Sequence, residues 1–260
     1  MKYFKMNLVA LFSIIVIISS SISSLSYSAK SVCLYDPIEN KIVYGYNENQ
    51  KMLPASITKI VTAITAMELG DVNQIITIDE KSAGTEGSSI YLKVGEQIPL
   101  IDLMYGMMLH SGNDAANAIA HHFGYDQFII KMNETILKAG ATSSNFENPS
   151  GLDGENHFVT AFDMAKITAY ALKNPTFAQV VSTKKITLTS NDGYARYLKN
   201  HNKLLWLYQN SNGVKTGFTK KAGRTLVTSV KENNRELICV TLNAPDDWND
   251  HISLYKEYLK

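Results

Sequence analysis

Two cysteines, Cys33 and Cys239, are all that 260 residues contain, which excludes a scaffold built on disulfides. Charge of one sign is equally scarce. With 25 basic and 24 acidic residues the net charge is +1, so no broad field draws the chain to nucleic acid or anionic lipid. No internal repeat is visible, and low complexity is confined to serines near the N-terminus. The apolar run Leu8–Ile18 falls short of the ~20 residues that span a bilayer. His121 and His122 lack a further ligand at metal-binding spacing, so no metal and no cofactor is expected.

What is present begins with an export layout. Lys2 and Lys5 precede the apolar run, which dissolves into "SSSISSLSYSAK". Ser26 and Ser28 occupy the −3 and −1 positions of a cleavage before Ala29. Residues 1–28 therefore read as a signal peptide and 29–260 as one working domain outside the cytoplasm. The alternative is a retained anchor, and contact with a membrane then rests on that uncleaved segment alone. A hydrophobic content of 45% is enough for one sizeable core.

The mature region changes period twice. "SVCLYDPIENKIVYGYN" reads as two strands joined by a turn at Pro37–Asn40. From Ser56 to Leu69, Ile57, Ile60, Val61, Ile64 and Met67 recur at helical steps with alanines between them, the pattern of a central helix that is apolar nearly all round. "LIDLMYGMML", "NDAANAIAHHFG", "YDQFIIKMNETILKAG" and "TAFDMAKITAYALKN" read as further helices. "GVKTGF", "AGRTLVTSVKE" and "ELICVTLNA" read as strands, the last two turning at Asn233-Asn234, before a final helix from Asp247 to Leu259. Strands at both ends with helices between them imply a sheet closed by non-local pairing.

Three short motifs carry chemistry. "ASITK" sets Ser56 and Lys59 one helical turn apart at the mouth of the buried helix, where a desolvated lysine becomes a base able to take the hydroxyl proton. The same spacing recurs at Ser182 and Lys185 in "VVSTKKITLTS", a β-branched stretch that reads as solvated strand. "HSGNDAAN" places Ser111 and Asn113 between two helices, where either could point into a cleft or simply cap the second helix. A decoy of this motif lies at Ser143–Asn145. "GVKTGFT" puts Lys215, Thr216 and Gly217 on a strand, a cation and a hydroxyl suited to an anionic oxygen beside a glycine that admits close approach.

The set, in this order and on helix start, inter-helix turn and strand, is the signature of class A β-lactamases and penicillin-binding proteins. From about Ser31 to Pro245 the chain resembles the serine D-alanyl-D-alanine carboxypeptidases among the low-molecular-weight penicillin-binding proteins. Stretches such as "LMYGMMLHSGNDAANAIA" and "NFENPSGLDGENHFVTAFDMAKI" carry the likeness beyond the motifs. The resemblance implies an α/β, β-lactamase/DD-peptidase-like fold. Its antiparallel sheet is built from the N-terminal hairpin and C-terminal strands, flanked by helices, with an inserted all-helical region. It implies Ser56 as acylated nucleophile, Lys59 as its base and Ser111 as proton relay to the leaving D-alanine. Asn113 would bond the substrate amide, Lys215 with Thr216 would hold the terminal carboxylate, Gly217 would lie against the bound substrate, and the backbone N–H groups of Ser56 and Phe218 would form the oxyanion hole. The partners implied are peptidoglycan stem peptides and β-lactams, met by a monomer. Cys33 and Cys239 fall on neighbouring strands of the family's sheet and are expected as free buried thiols.

Departures from the family are few. Glu86-Gly87-Ser88-Ser89 stands where many relatives have Gly-Gly-Ser-Ser, and the β-rich second domain and amphipathic anchor of larger relatives are not expected here. Asn148-Pro149-Ser150-Gly151 reads as a turn, and His201 reads equally as cleft border or surface loop. A β-lactamase on the same scaffold is one rival, but Glu147 does not sit in the context of a deacylating glutamate. A non-catalytic muropeptide or β-lactam sensor is the other, and it would need no Lys59 and Ser111 together.

Overall fold

A computed structural model describes residues 27–190, 193–232 and 234–259. Residues 1–26 of the expected signal segment and Asn233 of the Asn233-Asn234 turn thus lie outside the described residues. The centre is a five-stranded antiparallel sheet made from β1 (Ser31–Asp36), β2 (Lys41–Tyr46), β7 (Ser211–Thr219), β8 (Gly223–Glu232) and β9 (Arg235–Leu242), in the order β2-β1-β9-β8-β7. The N-terminal hairpin does return to the C-terminal strands: Cys33 stands opposite Val240 and Leu34 opposite Cys239. Every residue of β1 is buried while β2 lies at an edge with its lysine in solvent. Between them Asp36 accepts the N–H groups of Ile38 and Glu39, both at 3.0 Å, the Asx geometry that lets a short loop reverse the chain.

Opposed residues of a ladder share a face, so Cys33 and Cys239 point to opposite sides of the sheet. Cys33 belongs to the larger core and Cys239 to the smaller, and both are free and buried. The larger core holds α1 (Lys59–Leu69), α2 (Leu100–Leu109), α3 (Asn113–His122), α4 (Tyr125–Lys138), α5 (Ala161–Leu172) and α6 (Pro175–Ser182). Helix α1 is buried from Lys59 through Ala66, as its nearly uniform apolarity requires. On the other face α8 (Asp247–Tyr258) covers β8 and β9. There His251 shares hydrogen bonds with Thr228 (2.7 Å) and Thr241 (2.9 Å). Ser28, one residue ahead of the expected cleavage, is already tied to the fold through Asp250 (2.7 Å).

Three differences from the sequence reading have local causes. Ser56 lies not in the α-helix but in a 3-10 turn, Ala55–Thr58, that feeds it. Ser182 and Lys185 do not share a strand: Ser182 ends α6 and Lys185 begins β5 (Lys185–Thr189). Asn174 accepts the N–H groups of Thr176 and Phe177 with Pro175 at the first helical position, so the Asn-Pro pair opens a further helix, α6, that the sequence reading lacks. The small hairpins of β3 (Ile75–Thr77) with β4 (Gln97–Pro99), and of β5 with β6 (Ala195–Lys199), accompany an α7 of one turn (Leu204–Leu207).

Candidate active site

Ser56 is positioned by a strained turn. Ala55 has φ +51°, a left-handed conformation uncommon for a residue with a side chain, and two outside contacts hold it. Thr225 on β8 donates to the Pro54 carbonyl at 2.8 Å. Gly151 (φ +89°) packs so closely that a Cβ there would lie 1.9 Å from the Ala55 carbonyl oxygen. Strand β7 runs equally near, since a Cβ on Gly217 would sit 2.8 Å from the Ser56 nitrogen. The backbone of the third motif is therefore laid directly against the N–H of the first.

One turn on, Lys59 is fully buried. Its Nζ donates to Asn113 Oδ1 at 2.7 Å and to the Ser150 carbonyl, and it shares a 2.8 Å hydrogen bond with the Ser56 hydroxyl. Burial, and then the nearby charge of Lys215, push its pKa well below the ordinary lysine value, which favours the neutral amine. Asn113 is thus not a helix cap: no side-chain cap closes α3. Its other amide end donates to the Glu86 carbonyl at 2.7 Å, and its backbone N–H to the Ser88 carbonyl at 2.7 Å. The departure at Glu86 consequently matters through its backbone, with the carboxylate side chain exposed.

Ser111, at φ +62°, turns its hydroxyl toward Lys215, whose Nζ donates to it at 3.0 Å and to the Thr216 carbonyl at 2.7 Å. Burial lowers the Lys215 pKa to about 7. Ser56, Ser111, Thr216, Gly217 and Phe218 line one cleft of about 340 Å³, with Ser88, His201, Lys203, Arg224, Asp247 and Trp248 around them. All eight candidate residues thus meet here, Lys59, Asn113 and Lys215 from beneath its floor. His201 does border the cleft.

Several contributors escape sequence reasoning. Asn148-Pro149-Ser150-Gly151 is a turn, closed by Asn148 Oδ1 on the Gly151 N–H at 2.7 Å, yet its Ser150 carbonyl also accepts from Lys59. Buried Asp114 accepts the N–H groups of Ile90 and Leu92 and the Ser89 hydroxyl, pinning the loop that bears Ser88 over the cleft. Arg224 bonds Asp247 at 2.7 Å and leaves its buried Nε without a partner. Its only signal is register: it stands opposite Phe218, a pairing invisible before the strands are aligned. The decoy at Ser143–Asn145 is consumed by its loop, with Ser143 and Ser144 both on Asp163. Glu147 is likewise tied to the Asn156 N–H, and His121 and His122 face Asp79 and Gln74.

A serine hydrogen-bonded to a buried lysine, with a second hydroxyl and a second lysine beside it on this sheet-and-helix frame, is the arrangement of the active-site-serine class of penicillin-binding enzymes. Within that class the chain belongs to the peptidase S11 family, D-alanyl-D-alanine carboxypeptidase, whose pattern matches residues 18–246. It is 34% identical over 229 residues to D-alanyl-D-alanine carboxypeptidase DacF of Bacillus subtilis, covering 85% of this chain and 59% of that protein. It is 30% identical to DacB2 of Mycobacterium tuberculosis, covering 87% and 81%. The chain therefore spans about three fifths of the length of the Bacillus relative. Among solved structures, the Streptomyces K15 DD-transpeptidase superposes with a TM-score of 0.81 at 27% identity, over 88% of this chain and 97% of that one. A D-alanyl-D-alanine carboxypeptidase from Mycobacterium tuberculosis gives 0.86 at 30% identity, over 92% and 93%.

Proposed function

We propose that this protein is an exported serine D-Ala-D-Ala carboxypeptidase that removes the terminal D-alanine from peptidoglycan stem pentapeptides. The observation that carries the reading is the 2.8 Å contact between Lys59 Nζ and Ser56 Oγ at a lysine whose burial keeps it available as a base. Ser56 Oγ attacks the penultimate D-alanine carbonyl as Lys59 takes its proton. The oxyanion is received by the Ser56 and Phe218 N–H groups, a reading supported by the close approach of Gly217 to the Ser56 nitrogen. Ser111 passes a proton to the departing amine, Asn113 bonds the peptide amide, and Lys215 with Thr216 holds the free carboxylate. Water then hydrolyses the acyl-serine. A penicillin presents its lactam carbonyl at the same place and is expected to acylate Ser56.

In this reading residues 1–28 are the export signal, 29–260 the catalytic domain, and the monomeric enzyme works in the cell-wall space. Its test is free D-alanine release from diacetyl-lysyl-D-alanyl-D-alanine, together with peptide mapping after labelled penicillin. The label should fall on Ser56, and a label on Ser182, or none on folded protein, refutes the assignment. N-terminal sequencing of the mature protein should begin at Ala29, whereas membrane-bound protein with Met1 retained would mark an anchor.

A further inference from the structure

Thr58 stands at the N-cap of α1, where a threonine hydroxyl commonly accepts an N–H of the first turn, yet no side-chain cap forms there. The hydroxyl is turned instead to a ring 99 positions away. Thr58 Oγ1 and His157 Nε2 share a 2.9 Å hydrogen bond, and both residues are buried. The other ring nitrogen, Nδ1, accepts the Glu147 N–H at 3.0 Å. A backbone N–H can only donate, so the proton of the neutral imidazole sits on Nε2 and His157 donates to Thr58. Burial lowers the His157 pKa to about 4, with Lys59 acting in the same direction, while Glu147 and Asp153 favour the charged ring. Both carboxylates are engaged elsewhere, Glu147 by the Asn156 N–H and Asp153 by the Thr219 hydroxyl.

The two partners of the ring belong to the segments that meet at Lys59. Thr58 sits between Ser56 and Lys59. Glu147 leads into the turn whose Ser150 carbonyl accepts from Lys59. Asn148 stiffens that turn: its Oδ1 accepts the Gly151 and Ser150 N–H groups at 2.7 and 3.2 Å, and its Nδ2 donates to the Leu152 carbonyl at 2.8 Å. Thr62 ties the turn to α1, donating to the Pro149 carbonyl at 2.6 Å. His157 ties it to the segment that carries Ser56. The ring is itself held in place, since Asn145 and Phe158 exchange backbone bonds of 2.8 and 3.0 Å and Phe146 meets it edge-on at 5.5 Å.

The direction of the Lys59 lone pair depends on this turn. A neutral amine has two N–H bonds and one lone pair. With Asn113 Oδ1 and the Ser150 carbonyl each taking an N–H, the lone pair is left facing Ser56 Oγ at 2.8 Å, the orientation in which the hydroxyl proton can be taken. Without the Ser150 acceptor, an N–H can point at the serine instead. We propose that His157 is a positioning residue: by joining Thr58 to Glu147 it keeps the Ser150 carbonyl on Lys59, and thereby keeps the Lys59 lone pair on the nucleophile. His157 acts through Lys59 and takes no proton itself. The inference rests on the carboxypeptidase reading above.

The experiment compares the purified full chain with Thr58→Val, His157→Asn, His157→Gln and the combination of Thr58→Val with His157→Gln. Asparagine keeps an acceptor for the Glu147 N–H, glutamine keeps a donor for Thr58, and valine removes the hydroxyl at nearly constant volume. D-alanine release from diacetyl-lysyl-D-alanyl-D-alanine gives kcat and KM, and thermal unfolding identifies the folded variants. In each of these kcat should fall about tenfold while KM stays within about twofold, because Asn113, Lys215 and Thr216 are unaltered. The combined variant should lose no more than the larger single loss, since one strut is broken either way. An unchanged kcat in a folded variant, a loss confined to KM, or losses that multiply in the combined variant would overturn the inference. If both His157 variants fail to fold, Thr58→Val decides by the same criteria. No D-alanine from the unaltered protein sinks the carboxypeptidase reading instead, and the rate of acylation by labelled penicillin then compares the same variants.

Discussion

If Lys215 holds the substrate carboxylate, as proposed, it should set an alkaline limit on activity. Its ammonium is buried and its pKa is lowered to about 7, yet the proposed carboxylate contact needs it charged. The other titratable groups near it do not replace that charge: Lys59 is pushed toward neutrality, and His201 at about 4 is uncharged in the working range. With a pKa near 7, the charged fraction falls from roughly 0.9 at pH 6 to roughly 0.1 at pH 8. The ratio kcat/KM for a free-acid D-Ala-D-Ala peptide should therefore drop about tenfold across that interval. Bound substrate brings its own carboxylate, which favours the ammonium, so the limb in kcat should lie at higher pH than the limb in kcat/KM. A hydrogen bond to a charged group contributes ~1.5–3 kcal/mol, so Lys215→Ala should cost roughly 10- to 150-fold in kcat/KM at pH 6 and should flatten the limb. A substrate amidated at its C-terminus should lose less on both counts. The assay is D-alanine or D-alaninamide release from pH 5 to 9. Values of kcat/KM constant from pH 6 to 9, or equal losses on acid and amide, would refute the assignment of Lys215 to the carboxylate.

Gly217→Ala places a Cβ 2.4 Å from Thr225 Oγ1 and 2.8 Å from the Ser56 nitrogen, forcing β7 away from the nucleophile. Loss of one oxyanion donor should lower kcat about 10²- to 10³-fold, and an unchanged kcat for D-alanine release would contradict this geometry. His251, buried and neutral, has its pKa lowered to about 3, so its contribution to stability is complete above the unfolded pKa near 6.5 and is lost as pH falls toward 3. Urea unfolding should give about 2 kcal/mol less stability at pH 5 than at pH 7 from this group alone. Buried His157, at about 4, acts in the same direction, and equal stability at both pH values would count against buried neutral imidazoles. Thiol titration of native protein should find neither Cys33 nor Cys239, while denatured, unreduced protein should show both; none after denaturation would mean a bridge.

The motifs were legible because each combines residue types whose chemistry is meaningful only in a particular local context. Ser56-Lys59 stands out from Ser182-Lys185 through the apolar helix behind it. Periodicity likewise exposed the central helix and the two groups of strands. What remained hidden depends on contacts between distant segments. The Ser150 carbonyl reaches Lys59 across 91 positions, and a backbone acceptor leaves no mark on residue identity. Arg224 becomes part of the cleft only through its register with Phe218. The three-residue strands β3 and β4 are too short to show alternation, and β6 escapes as the partner of a half-exposed hairpin, whereas β5 falls within the stretch that reads as solvated strand.

The position of β1 between β2 and β9 also bears on how the protein comes to exist. Ser31 pairs with Leu242 and Tyr35 with Ile238, so the first strand made meets one of its two neighbours only after some two hundred further residues have been synthesised. Loop-closure entropy opposes that pairing until the intervening helices have collapsed, which makes sheet completion a late and slow event. Ser56 shares this delay, because β7, whose Gly217 packs against the Ser56 nitrogen, lies just two places from β9 in the same sheet. If the chain is exported N-terminus first, as proposed, it is inert in transit, and Ser56 is armed only when the last strand arrives on the far side.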